Sequence, residues 1–206
     1  MKTVIKCLSV FVVVVFACSA TAAPVNVTLA GLANAEVRDG VRAGFYTLNV
    51  DSATLLAMCD DYNTRISVGD NWSAYIYNYA DIQAGAGKFN LLAGDEALYS
   101  RAGYLMSMAS AMSYAEQADL NLAVWNIFTP GSVTMTAYAQ ILYDTVVTGT
   151  YDSFDWSAVM SVLTPNPFGA SQEFLTLNKV PVPGTLILLV LGLMTTGLSI
   201  RDKVGV

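Results

Sequence analysis

The sequence predicts an α+β fold: an antiparallel, β-rich domain with a block of two to three helices, preceded by an N-terminal signal and followed by a C-terminal hydrophobic helix. Three observations carry this. Apolar residues alternate with period two early in the chain, recur at helical spacing through the middle, and return to a short strand-like run near its end. Segregated strands and helices belong to α+β rather than alternating α/β domains. An apolar stretch lies outside that pattern at each end.

Residues 1–22 read as a secretory signal. Lys2 and Lys6 form the positive region, Leu8 to Phe16 the apolar region, and Ala20-Thr21-Ala22 the small residues of a cleavage site. Cleavage after Ala22 is expected, because Pro24 would hinder a cut after Ala23. Export places the remainder where disulfides are permitted. Yet Cys7 and Cys18 leave with the signal, so Cys59 is alone, either a buried thiol, an intermolecular bridge or a reactive group.

The exported domain spans residues 23–179. Val25 to Leu29 and Val41 to Val50 alternate as strands, the second closed by Asp51-Ser52. Thr54 to Cys59 is a short apolar run ended by Asp60-Asp61. Trp72 to Tyr79 puts three tyrosines on one face and Trp72, Ala74 and Ile76 on the other, which predicts a strand covered on both sides. Leu98, Ala102, Leu105, Ala109 and Met112 recur at helical spacing. Leu120, Ala123, Val124, Ile127 and Phe128 form a second stripe, stopped by Pro130-Gly131. A third helix is expected from about Thr134 to Val147. Residues 150–164 suit a short helix or a strand, Pro165-Asn166-Pro167 predicts a turn, and Glu173 to Leu177 predicts a last strand.

Composition narrows function. The net charge is −6, only 13 % of residues are charged, and there is no histidine. The last absence removes histidine-based triads, histidine metal ligands and histidine pH switches. An acidic chain without a basic cluster repels phosphate backbones, so nucleic acid is not an expected partner. Asp60, Asp61 and Asp70 could offer oxygens to calcium, but they lack the spacing of an EF-hand loop, and ending a strand and capping a turn is the expected role of the Asp60-Asp61 pair. Asp152 and Asp155 read as turn residues. No cofactor is implied, and the expectation is a protein that is not an enzyme.

The tail, residues 180–206, holds a uniformly apolar run from Thr185 to Ile200. As a helix at about 1.5 Å per residue it reaches roughly 24 Å, short of a ~30 Å hydrocarbon core. Val180-Pro181-Val182-Pro183-Gly184-Thr185 precedes it, and Arg201 and Lys203 follow. Together these resemble a PEP-CTERM sorting signal, with Val182 where glutamate is usual. The resemblance implies export by a Gram-negative bacterium. It also implies signal peptidase and an exosortase-like protease as processing partners, and membrane retention through residues 185–200 before release to the cell surface or extracellular matrix. The likeness extends to a recurring ectodomain of such proteins through Ala43 to Leu48, Met58 to Tyr62, Gly69 to Trp72, Leu120 to Phe128 and Gln172 to Leu175. What it implies is adhesion, or association with extracellular polysaccharide, biofilm matrix or a surface protein.

Two of these segments also resemble the thioester domains of bacterial surface adhesins. There a strand cysteine joins a glutamine that opens a helix of the form Gln-x-Ala-apolar-Trp. The thiolate adds to the side-chain amide carbon and ammonia leaves, giving an acyl donor for surface amines. Cys59 matches the cysteine. Asn121 stands where glutamine is wanted, one methylene shorter, with Ala123 and Trp125 following. Gln117, one turn earlier on the same face, is the substitute acyl group.

Overall fold

A computed structural model of the protein describes residues 23–177. The signal (1–22) and the tail with Val180–Thr185 lie outside the described residues. Among the described residues, no helix is long and apolar enough to cross a membrane.

The architecture is α+β, as the pattern predicts. Six strands close into an antiparallel barrel: β1 (Val25–Gly31), β4 (Phe45–Val50), β5 (Ala53–Cys59), β8 (Phe174–Thr176), β7 (Ser161–Asn166) and β6 (Asn71–Tyr77), in that order around the ring. Closure removes the exposed edges that an open sheet must protect. A small separate hairpin pairs β2 (Glu36–Arg38) with β3 (Val41–Ala43). Four α-helices follow the period-3.6 stripes or extend them: α1 (Tyr79–Gln83), α2 (Glu96–Met108), α3 (Tyr114–Phe128) and α4 (Ala137–Val146).

Strand alternation sorts the side chains into two cores. Val27, Leu48, Leu55, Ala57, Cys59, Leu163 and Phe174 pack inside the barrel. Phe45, Met58, Val162 and Leu175 point outward and meet Leu105, Leu120, Val124 and Trp156 from the helical side. The helices therefore cover one wall of the barrel, and each fully buried aliphatic side chain there contributes roughly 1.5–3 kcal/mol.

Several boundaries differ from the sequence expectation. The run Val41 to Val50 is two strands, broken at Gly44. Its φ of +121° is glycine territory, and a Cβ there would lie 3.2 Å from Ala35 Cα. Residues 161–166 resolve as a strand, and the expected turn at Pro165-Asn166-Pro167 begins only after it. Pro165 fits because β7 pairs with β6 out to Asn166 but with β8 only as far as Leu163, so one side of Pro165 has no ladder bond to lose. Tyr79 leaves its predicted strand because Asn78 caps α1 with a reciprocal capping box to Asp81. The block holds four α-helices rather than two to three, α1 being too short to register as a stripe.

Candidate functional site

The site expected from sequence lies where α3 meets the end of the barrel. Ser113 and Glu116 form a capping box, so α3 starts at Tyr114. Asn121 therefore sits two turns inside the helix rather than at its start. Gln117, Asn121 and Trp125 follow at i, i+4 and i+8 on the buried face.

Asn121 occupies a defined gap. The β4–β5 ladder ends at the pair Phe45–Met58, and the next residues outward are Gly44 and Cys59. The Asn121 amide stands between them: its Oδ1 accepts from Gly44 N–H at 2.9 Å, and its Nδ2 donates to the Cys59 carbonyl at 2.7 Å. A side-chain amide thus replaces one peptide-to-peptide exchange and pins helix to barrel. Gln117 is used in the same way. Its Nε2 donates to the carbonyls of Ala109 (2.9 Å) and Met112 (3.2 Å), and its Oε1 accepts from Asn34 Nδ2.

The structure brings Cys59 and Asn121 together through the cysteine backbone. The Cys59 thiol donates to the Asp61 carbonyl at 3.2 Å. Burial first, then the neighbouring Asp60 charge, pushes this fully buried thiol well above its usual range, while the Trp125 indole and the Asp61 backbone oppose the shift more weakly. The thiolate is the nucleophilic form, so the folded domain holds this sulfur in its unreactive state.

Beside Cys59 lies a group of acids, of which only Asp60 and Asp61 stand out in the sequence. Asp60, Asp61 and Glu173 are all essentially inaccessible to solvent. Glu173 accepts from Tyr99 Oη–H at 2.6 Å, from Lys88 N–H at 2.9 Å and from the Thr164 hydroxyl. Asp60 faces Glu173, and neither of its oxygens has a donor from another group. Burial, then the Glu173 charge, raises the Asp60 carboxyl well above the normal range. Burial likewise raises Glu173 against the opposing pull of its donors. Two facing buried carboxyls are reconciled by a proton held between them. Glu173 was legible in principle, as an acid heading an otherwise apolar strand, but nothing local paired it with Asp60.

Asp61 forms an ion pair with Lys88 and accepts from the backbone of Asn63 and Thr64, while Asp70 accepts from Ser67 N–H at 2.8 Å. The expected capping role thus falls to Asp61. Among the described residues no three acid or cysteine side chains are grouped to hold a metal ion. Asp152 pairs with Arg101. Asp155 accepts from Ser157 N–H, as a turn residue does.

Above the same end of the barrel opens a groove of about 540 Å³, with Tyr46, Tyr62 and Trp125 among its walls and Arg42 and Arg65 at its margins. Tyr62 packs T-shaped on Trp125 at 5.4 Å, and the Tyr46 hydroxyl donates to the Arg42 carbonyl. Neither arginine stood out in the sequence, since they reach one groove only through the fold.

Compared with known proteins, the chain matches no family model, no curated protein and no solved structure.

Proposed function

We propose that this is an exported, surface-sorted protein without enzymatic activity, serving in adhesion or in association with extracellular polysaccharide or biofilm matrix. Support comes first from its layout. A signal-like segment and a Val-Pro-Val-Pro segment with its apolar run flank a single barrel-and-helix domain. The observation in the domain that carries the reading is its division of polar groups. The groups capable of acid, base or nucleophilic chemistry, Cys59, Asp60 and Glu173, are sealed inside, whereas the accessible polar surface at that end is an open groove suited to binding. Fractionation of producing cells tests this, with the processed domain expected at the surface or in the matrix. Recovery of the bulk in the cytoplasm contradicts it.

The second reading is covalent attachment through Cys59. It is favoured by one observation, the approach of the Asn121 amide to the Cys59 peptide. In that chemistry the sulfur adds to the amide carbon of Asn121, or of Gln117, and ammonia departs with the thiol proton. A target amine then displaces the thiol. The mature protein would weigh one ammonia less than its sequence, and an unshifted mass with one titratable thiol after unfolding rules this out.

A further inference from the structure

The described domain is strongly acidic, with fifteen Asp and Glu residues against five bases, Lys88 and Arg38, Arg42, Arg65 and Arg101. Three of those bases are neutralised: Arg38 by Glu36 and Asp119, Lys88 by Asp61, and Arg101 by Asp152. The two without an ion-pair partner among the described residues, Arg42 and Arg65, both line the groove above the barrel end. Among the described residues, no Asp or Glu is on its lining. In a domain with three acids for every base, that is a concentrated reversal of sign. Low-dielectric walls focus such a field toward an anion.

The rest of the lining narrows the ligand. Its volume of about 540 Å³ is that of a small-ligand site and exceeds what a single small anion needs. Thr64 and Ser67 add hydroxyl groups to the two guanidinium groups. Tyr62, partly exposed and braced on the buried Trp125, forms a fixed aromatic wall. Leu32 and Val68 are exposed apolar residues on its lining. Guanidinium forks match carboxylates, hydroxyls match hydroxyls, and an aromatic wall accepts the apolar face of a ring.

We propose that the groove bounded by Arg42, Arg65 and Tyr62 binds a short segment of an acidic, carboxylate-bearing polysaccharide. This rests on the surface-protein reading above and names the ligand class for it. Both arginines are exposed and have no ion-pair partner among the described residues, so replacing them is expected to leave the fold intact.

The test is calorimetric titration of the full chain in detergent with oligogalacturonate, a neutral glucan oligomer of equal length, and an oligoglutamate peptide. The expected result is binding of oligogalacturonate alone, weakened by added salt. The double variant Arg42→Gln/Arg65→Gln should lose at least tenfold in affinity, and Tyr62→Ala should also weaken binding. Undiminished binding by the double variant overturns the groove assignment. Equal or tighter binding of oligoglutamate makes the ligand an acidic peptide and overturns the sugar. Equal binding of the neutral glucan, or no binding of any probe, overturns the ligand class. None of these outcomes alters where the processed protein is found in cells, so the surface reading stands or falls by fractionation and intact mass and not by this titration.

Discussion

Replacing Asn121 by alanine tests the join between α3 and the barrel. The change removes a donor from the Cys59 carbonyl and an acceptor from Gly44 N–H, both at a position with no solvent access. Water cannot replace the amide without opening the helix–barrel contact. Each buried backbone group left unpaired costs about 1–3 kcal/mol, so the pair should cost roughly 2–6 kcal/mol. That is a large share of the ~5–15 kcal/mol that holds a typical domain folded. With a urea slope of about 1–3 kcal/mol per molar, the middle of both ranges lowers the unfolding midpoint by about 2 M. Asn121→Asp offers a sharper comparison. A carboxylate keeps the bond from Gly44 but meets the Cys59 carbonyl without a donor, so this variant should be the weaker of the two at neutral pH and recover part of its loss in acid, where the protonated carboxyl donates again. The assay is equilibrium urea unfolding followed by tryptophan fluorescence. A loss below about 1 kcal/mol for Asn121→Ala would refute the bridging role, because even one orphaned backbone group costs that much.

Three further outcomes follow from the packing and the buried acids. Gly103→Ala should destabilise the domain by about 1–3 kcal/mol, since the new Cβ would fall 2.5 Å from Trp156 Cβ. Trp156→Leu should not relieve it, because that Cβ remains. The Asp60–Glu173 pair has folded pKa values raised above its unfolded ones. Its contribution to stability is therefore full below the normal carboxyl range and declines as pH rises through the raised values. Wild type should lose urea stability from pH 5 to pH 8, and Asp60→Asn should flatten that slope. A wild-type profile that rises over this interval, with Asp60→Asn unchanged, would contradict the shared-proton arrangement. Cys59 should resist a thiol reagent in the native state at pH 8 and react fully in denaturant. Rapid native labelling would refute its burial.

Much of the fold was written in local pattern. β1, β5 and β6 and the stripes of α2 and α3 follow directly from periods of 2 and 3.6. The misreadings arise where one residue or one distant partner decides. Gly44 splits a run that alternates without a visible break. Pro165 stays in a strand because its neighbour β8 stops short, which no window around Pro165 reveals. The site was legible to the same degree. Cys59 and Asn121 could be paired from sequence, but their join through a carbonyl rather than a sulfur depends on where the β4–β5 ladder ends. Glu173 meets Asp60, and Arg42 and Arg65 reach one groove, only once the chain has folded.

Intact-mass measurement of the protein recovered from cells tests the proposed export and processing and the structural role of Cys59 together. The predicted mass begins at Ala23, ends within or near Val180–Thr185, and includes every side-chain amide. A mass that keeps residues 1–22 and the apolar tail would contradict export and sorting. A processed mass lighter by one ammonia, with no thiol titratable on rapid unfolding, would contradict the structural role of Cys59 and establish the thioester in its place.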